Sequence, residues 1–412
     1  MGKQLSVLVA LHQGNLSGVE TYAEQVAATG AAASHWVTLV ALGADLADKL
    51  HSSRAGSANI RVVATEPLPR SGWRPAARQL PTFSLMEAQA LLEASLRRLG
   101  KRFDVAHLNH PALAKAARPY ADRVVVGGWF YPHNPRERMV ETWRHTGAIF
   151  PKSAAFALKG LSHYWNGRQG YAASDCVVAP TELLAAQLES IGIHAIACPP
   201  PGRRVEVDPN LIQGNFRRAE GRRQVTVICG NLAHPRKNIR AGIRAVGLLA
   251  RSGMKLNLEL IGHNADALSA ELNALPPSVH VQAPGVLPRE RVDDSLRSTD
   301  VLLVPSLYEE WGYVATEATL SGTPVVAFPV YPFVEILTAP LGMCAKDMSS
   351  EALARALTHV LLSEGSRSVV ASAAERRFGA EAVGERLSEI WSGVPAGPGE
   401  LMATAGGHMD RQ

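Results

Sequence analysis

Short apolar runs alternate along most of the chain with segments whose apolar residues recur at helical spacing. The runs are LSVLVAL, HWVTLVAL, DVAHL, RVVVGGW and DCVVAP in the first half, and VTVIC, LNLELIG, VHVQ and DVLLVPS in the second half. Apolar runs of this length, separated by helical segments, are typical of buried strands in parallel sheets. The pattern therefore predicts the α/β fold class, with a Rossmann-like sheet in each half.

One interruption divides the pattern. Over CPPPGRRVEVDPNLIQGNFRRAEGRRQ the apolar periodicity stops and the Pro, Gly and Arg content rises, as in an interdomain linker. A chain of 412 residues is also too long for one comfortable core. The predicted organisation is an N-terminal Rossmann-like domain over 1–198, a linker over 199–224, a C-terminal Rossmann-like domain over 225–380, a helix over 381–393 that can return to the N-terminal domain, and a flexible tail over 394–412.

The composition indicates an ordinary globular protein, because 46% of the residues are hydrophobic and 19% are charged. The four cysteines occur singly in apolar contexts, which favours a reducing compartment over a disulfide framework or a zinc site. The first apolar run has no small-residue cleavage site after it, and no run is long enough to span a membrane. We expect a cytoplasmic protein.

The charge pattern bears on possible partners. The net charge of +5 is spread over a long chain, and no basic run with interleaved aromatic residues indicates nucleic-acid binding. The segment WRHTGAIFPKSAAFALKGLSHYWNGRQGY mixes cations with aromatic residues and could contact an acidic membrane surface, although a helix that does not contact a membrane is the favoured interpretation. The oligomeric state stays open.

The first candidate loop is HQGNLSGVETYAEQVA. Ser17 and Glu20 have the spacing of a capping box, and Val19, Tyr22, Ala23, Val26 and Ala27 form one apolar stripe of a helix. Gly14 and Gly18 would let the backbone approach a ligand, and the amides that begin the helix would favour a phosphate. An ordinary turn between a strand and a helix accounts for the same glycines equally well.

The second candidate loop is CGNLAHPRKNIRAGIRAVGLLA. Ile239, Ile243, Val246 and Ala250 are predicted to line one face of a helix. Arg236 and Lys237 would then lie in the loop before it, at the edge where parallel sheets bind ligands. A guanidinium and an ammonium group can neutralise a diphosphate, although a solvated pair of cations is the alternative.

The third candidate stretch, EEWGYVATEATLSGTPVV, places Glu309 and Glu317 eight positions apart. DVLLVPS is a predicted strand and Gly322 a helix stop, so the helix between them should run from about Tyr313 to Ser321. The backbone amides of its first turn could bind a phosphate, and a carboxylate can accept from both hydroxyls of a ribose. A nucleotide sugar fits this arrangement, whereas either acid alone is equally explained as a solvated side chain.

PSLYEEWGYVATEATLSGTPVVA resembles the Glu-x7-Glu region of the retaining GT-B glycosyltransferases of family four. SGVETYAEQVA resembles the Gly-rich N-terminal loop of that family, and CGNLAHPRKNIRAGIRAV resembles its diphosphate-binding loop and helix. The order and spacing of the three segments also match, so the resemblance covers nearly the whole chain except the tail. It implies a GT-B fold, with an N-terminal acceptor domain and a C-terminal nucleotide-sugar donor domain, both Rossmann-like, facing each other across a cleft. The segment that mixes cations with aromatic residues would then be a helix on the acceptor side.

The resemblance also implies roles for single residues. Glu317 would bind the ribose, Glu309 the donor sugar, Lys237 and Arg236 the diphosphate, and His133 would lie beside the transferred sugar. Gly18 and the backbone of Gly312, Tyr313 and Val314 would complete the donor site. Two departures stand out: Asn231 occupies a position where the family usually has Arg, and PPPGRR replaces the usual Asn-Gly-Val between the domains.

The implied activity is the transfer of a sugar from a nucleotide-diphosphate sugar, with a UDP-sugar favoured, to an acceptor hydroxyl with retention of configuration. The departing phosphate would take the acceptor proton, His133, Glu309, Lys237 and Arg236 would serve catalysis, and no metal or other cofactor would be required. Antibiotic or other secondary-metabolite biosynthesis and cell-envelope glycan assembly both fit. The alternatives are a nucleotide-sugar epimerase or phosphorylase of the same fold, or a catalytically silent binding subunit.

Overall fold

The structure is a computed structural model that describes residues 3–12, 17–42, 58–65, 81–127, 167–203, 221–363 and 365–393. Its contacts divide the chain into two units. The N-terminal unit extends to Pro201 and also includes a segment that begins at Ala380, whereas the C-terminal unit is Gly202–Gly379. Most of the predicted linker and the predicted tail lie outside the described residues.

The N-terminal unit contains one seven-stranded sheet. Its strands are β1 (Ser6–His12), β2 (Trp36–Leu42), β3 (Ile60–Ala64), β4 (Phe103–Leu108), β5 (Ala121–Gly127), β6 (Cys176–Ala179) and β7 (Ala195–Ala197). Its helices are α1 (Ser17–Ala32), α2 (Pro81–Leu99), α3 (Ala114–Ala117), α4 (Glu182–Ser190) and, from the end of the chain, α12 (Ala380–Ser392).

All strands of this sheet are parallel, in the order β3-β2-β1-β4-β5-β6-β7. The chain builds outward from β1 in one direction and then from β4 in the other, so the strand order reverses between β1 and β4. The apolar stripe of α1 is confirmed for Tyr22, Ala23, Val26 and Ala27, which are buried. The side chains of Ser17, Val19 and Glu20 lie outside the described part of the structure.

A buried polar network joins α12 to this sheet. The indole Nε1 of Trp391 donates to Nδ1 of His107 at 3.0 Å, and Nε2 of His107 lies 2.7 Å from the hydroxyl of Tyr22. Because an indole only donates, Nδ1 must be unprotonated, and the proton of the neutral ring is on Nε2 and points at Tyr22. Burial lowers the pKa of His107 to about 3. A second bond, from His35 Nε2 to Ser388 Oγ at 2.9 Å, adds to this attachment of α12.

We expect this network to make the N-terminal unit sensitive to acid. The unfolded chain binds a proton at His107 near pH 6.5, whereas the folded protein binds it only near pH 3. Stability is therefore fully present above pH 6.5 and falls by up to about 1.4 kcal/mol per pH unit below it, because the unfolded state binds more protons. Urea unfolding followed by tryptophan fluorescence at pH 7.5, 6 and 5 measures the slope. His107→Gln should have a slope smaller by about one proton, and identical slopes in both proteins would contradict the expectation.

The C-terminal unit contains a six-stranded sheet. Its strands are β8 (Arg223–Asn231), β9 (Leu256–His263), β10 (Val279–Gly285), β11 (Val301–Val304), β12 (Val325–Ala327) and β13 (Gly342–Cys344). Its helices are α5 (Ile239–Arg251), α6 (Ser269–Asn273), α7 (Arg289–Ser298), α8 (Tyr313–Leu320), α9 (Phe333–Ile336), α10 (Ser350–Leu362) and α11 (Arg367–Phe378).

These strands are also parallel, in the order β10-β9-β8-β11-β12-β13, with the reversal between β8 and β11. The predicted buried face of α5 is confirmed, since Ile239, Ile243, Val246 and Ala250 all lie in the core. No helix in the described ranges is long and apolar enough to cross a membrane.

Candidate functional site

Two cations lie at the carboxyl end of β8, beside the reversal in strand order. A 3-10 turn, Pro235–Lys237, follows the strand, and Nδ1 of His234 accepts from the backbone amide of Arg236 at 3.2 Å. Asn238 then takes a left-handed conformation with φ 50°, which redirects the chain into α5. This turn presents Arg236 and Lys237 ahead of the helix, as the sequence predicts. Burial, together with these two cations, lowers the pKa of His234.

The acid of the following loop meets both cations. Glu309 is only 6% exposed, and its Oε1 accepts from Lys237 Nζ at 2.5 Å while its Oε2 lies 3.6 Å from Arg236 Nη1. The backbone of the two loops is also joined, because Leu307 N donates to Arg236 O at 2.8 Å. The structure therefore brings together Glu309, Arg236 and Lys237, which the sequence places about 72 residues apart. Two positive charges against one carboxylate leave this corner net positive.

Glu317, the second acid, is also buried, at 4% exposure, on the first turns of α8. Its Oε2 accepts from Arg289 Nη2 at 2.6 Å, and its Oε1 lies 3.9 Å from Arg203 Nε. Asp293 pairs with the same two arginines, with Arg289 Nε at 3.2 Å and with Arg203 Nη2. We call Arg203, Asp293, Arg289 and Glu317 the charge ring, because acids and arginines alternate around it.

Three members of the charge ring were missed at the sequence level. Arg289 and Asp293 stand four positions apart at the start of a helix, which is the spacing of a helical ion pair and the one signal that could have found them. Arg203 lies in the PPPGRR segment, where the chain departs from the family pattern, and its partners are 90 or more positions away. The ring holds the Glu317 carboxylate in place, with the short contact at Oε2 and the longer one, 3.9 Å, at Oε1.

The start of α8 depends on a glycine. Gly312 has φ 84°, and a Cβ there would lie 2.8 Å from Cε1 of Phe333. Trp311, next to it, is buried with its ring edge against Phe378, at 5.7 Å between centroids. The packing of Gly312 and Trp311 therefore sets where α8 begins. The backbone amides of its first turn, from Gly312 to Val314, have no acceptor within their own helix.

Gly312→Ala should lower the stability of the C-terminal unit and the affinity for a nucleoside diphosphate. A matched control is Gly285→Ala, because Gly285 has φ 82° but open space where a Cβ would stand. The backbone strain shared by both substitutions costs about 1–2 kcal/mol, and the collision with Phe333 should add about 1–3 kcal/mol for Gly312→Ala alone. Urea unfolding compares the two, and equal losses would refute the collision.

The other predicted site residues differ in what the structure says of them. Oδ1 of Asn231 accepts from Ala233 N at 3.0 Å and from Asn264 Nδ2 at 3.1 Å, so its carboxamide oxygen serves the loop itself. Gly18 lies in the first turn of α1, in the N-terminal unit. His133 lies outside the described residues.

Comparison with known families accounts for this arrangement. The family described as Glycosyltransferase Family 4 matches residues 16–212, and the family described as Glycosyl transferases group 1 matches residues 215–377. Each part of the chain thus matches a family of glycosyltransferases, and the two matches together span most of the chain. Its two units each correspond to one of the two matches, and the second match contains Arg236, Lys237, Glu309 and Glu317.

Similar proteins include a GDP-mannose-dependent alpha-(1-6)-phosphatidylinositol dimannoside mannosyltransferase of Mycobacterium tuberculosis, with 28% identity over 57% of this chain and 62% of that protein. A 2-deoxystreptamine glucosyltransferase of Streptomyces kanamyceticus is 35% identical over 24% of this chain and 26% of that protein. The match thus spans less than two thirds of either relative. The solved sucrose-phosphate synthase of Thermosynechococcus elongatus has a TM-score of 0.68 at 16% identity, over 95% of this chain and 99% of that one. This likeness establishes the predicted GT-B fold class for the glycosyltransferase.

Proposed function

We propose that this chain is a retaining hexosyltransferase that moves a sugar from a nucleotide-diphosphate sugar to an acceptor hydroxyl. The observation that carries the proposal is the pair of buried acids, Glu309 and Glu317, each held by cations beside the strand-order reversal of the second sheet. A donor needs a group for its ribose, cations for its diphosphate and a group for its sugar. Glu317, Arg236 with Lys237, and Glu309 supply these in that order.

The chemistry of the site is electrostatic. Negative charge grows on the departing diphosphate while positive charge grows on the sugar, and fixed cations stabilise the first of these charges. Lys237 and Arg236 would act on the diphosphate together with the first amides of α8. Glu309 would contact the donor sugar, and His133 would lie on its other side. We assign the acceptor proton to the departing phosphate. The acceptor hydroxyl attacks the anomeric carbon from the same face that the phosphate leaves, so a new C–O bond replaces the broken one with retention of configuration. The proposal includes no metal or other cofactor.

A donor screen tests the nucleotide. Thermal shift with UDP-, GDP- and dTDP-sugars should give the largest stabilisation with a UDP-sugar, because binding to the folded state alone raises the melting temperature. The Mycobacterium relative is named as GDP-mannose-dependent, which makes GDP-mannose the most informative competitor. A larger shift with GDP-mannose would overturn the choice of base and leave the transfer reaction intact.

Product analysis tests the reaction class. Incubation of a bound donor with and without an acceptor, followed by proton NMR of the anomeric signal, should give a glycoside with the donor's configuration only when the acceptor is present. An epimerised nucleotide sugar without acceptor would indicate the epimerase alternative, and donor binding without any turnover would indicate a silent binding subunit.

A cytoplasmic role in secondary-metabolite or cell-envelope glycan synthesis is part of the proposal.

A further inference from the structure

The side chain of Asn109 is buried without a hydrogen bond to any described residue. It is 1% exposed, and neither its Oδ1 nor its Nδ2 has a hydrogen-bond partner in the described part of the chain. A carboxamide has two donor hydrogens and an acceptor oxygen, and burial without partners destabilises the folded state. Buried polar side chains are nearly always satisfied, so this one calls for an explanation outside the fold itself.

The position of Asn109 in the N-terminal sheet suggests that a ligand is its missing partner. It follows β4 directly, and the last residue of β4, Leu108, pairs with Ala10 of β1 on one side and with Val126 of β5 on the other. The strand order of the N-terminal sheet reverses between β1 and β4. In open parallel sheets the connections leave such a reversal on opposite faces, and the crevice between them at the carboxyl ends is where ligands bind.

The backbone around Asn109 is fixed. Nδ1 of the next residue, His110, accepts from Ala112 N at 3.1 Å and so caps the short 3-10 turn Pro111–Leu113. Gly170 also closes on this turn, because a Cβ there would lie 2.0 Å from Pro111 O. Asn109 is therefore held between a central strand and a capped turn, as a preorganised binding residue should be.

We propose that Asn109 binds two neighbouring hydroxyls of a neutral polyol, a sugar ring or a cyclitol, which forms part of the acceptor. A phosphate only accepts hydrogen bonds and would leave Oδ1 facing an anion, whereas a cation only donates and would leave Nδ2 unmatched. A hydroxyl does both, so a pair of hydroxyls can supply a donor to Oδ1 and an acceptor to Nδ2. The inference rests on the proposed function and adds to it the chemical class of the acceptor group at this place.

The first test is stability. Asn109→Leu keeps the size of the side chain and removes the polar atoms, so the free protein should melt at the same temperature or higher. Thr181→Val is the matched control, since Thr181 is fully buried in the same unit but its hydroxyl accepts from Leu184 N at 3.1 Å and caps α4. This control should melt lower. A fall for Asn109→Leu as large as that for Thr181→Val would mean that Asn109 is a structural residue and would overturn the proposal.

The second test is binding to the full chain. Saturation-transfer NMR with methyl α-D-glucopyranoside and with myo-inositol, in the presence of saturating nucleoside diphosphate, should detect at least one of the two neutral probes on the wild-type protein. Asn109→Leu should weaken that binding at least tenfold and leave the calorimetric affinity for the nucleoside diphosphate unchanged. A polar group that is left unpaired in a binding site costs far more affinity than a lost methylene contact. The difference between the wild type and Asn109→Leu should therefore be large.

The outcomes separate the two proposals. If neither neutral probe binds while the nucleoside diphosphate does, or if glucose 6-phosphate binds and both neutral probes fail, the assignment of Asn109 is wrong and the proposed function stands. Equal probe affinity in the wild type and Asn109→Leu also overturns it. Failure of the wild type to bind any nucleoside diphosphate would instead contradict the proposed function.

Discussion

Replacing Lys237 with Met should lower kcat for sugar transfer by about 10²–10³-fold, which is the usual cost of removing one group that stabilises transition-state charge. The ammonium group of Lys237 is the nearest cation to Glu309, at 2.5 Å, and Arg236 lies farther from that acid, at 3.6 Å. Its charge is therefore central to the corner that would receive the diphosphate. Met keeps most of the length of the side chain, so the loop should fold as before.

The control for this prediction is Arg240→Gln. Arg240 belongs to α5, a few residues farther along, and pairs with Glu271 at 2.5 Å on the exposed side of the helix. The Arg240→Gln variant should change kcat by less than twofold. Calorimetry with a nucleoside diphosphate and the matching monophosphate then locates the effect. Lys237→Met should lower the affinity for the diphosphate far more than the affinity for the monophosphate. Equal weakening of both would argue against a role at the diphosphate.

Glu317→Gln should weaken binding of a ribonucleoside diphosphate by about 10- to 100-fold, since a hydrogen bond to a charged group contributes about 1.5–3 kcal/mol. Gln keeps the shape of the side chain but removes the charge that pairs with Arg289 and that would accept from the ribose. The exposed Glu290, on α7, provides the control as Glu290→Gln and should bind nucleotide like the wild type.

The ribose assignment can be tested separately from the charge ring. A 2′,3′-dideoxynucleoside diphosphate lacks the hydroxyls that Glu317 would accept from, so the wild type and Glu317→Gln should bind it with the same affinity. If Glu317→Gln loses as much affinity for the dideoxy compound as for the ribonucleotide, Glu317 acts through Arg289 or through folding and not on the ribose.

Much of the C-terminal unit could be predicted from the sequence because its signals are local. The predicted helix from Tyr313 to Ser321 is observed as Tyr313–Leu320, since Gly322, with φ 79°, ends it as expected. Parallel strands also bring their carboxyl ends to one edge, which is why Arg236, Lys237 and Glu309 could be placed together. Local signals also limit helix length between β9 and β10: a 3-10 turn, Ala265–Leu268, precedes the short α6, and two prolines follow within a few residues.

The contacts that could not be predicted join distant parts of the chain without a repeating pattern. Arg203 meets Asp293 across 90 positions and Trp391 meets His107 across 284. In each case the packing of whole helices and strands brings the two polar side chains together. No periodicity in the sequence predicts that packing. The state of Asn109 could not be predicted either. Its lack of hydrogen-bond partners among the described residues depends on the residues packed around it and not on its neighbours in sequence.

The attachment of α12 to the N-terminal sheet has a consequence for synthesis on the ribosome. The C-terminal unit is an insertion, since the chain leaves the N-terminal unit after Pro201 and returns to it at Ala380. Translation usually lets the N-terminal domain fold first, at about 5–20 residues per second. Here the first sheet must wait for Trp391 to cover His107, while the inserted unit can finish earlier. The half of the protein that is made first is thus completed last, and during that interval its uncovered surface is the part of the nascent chain that a chaperone would have to protect.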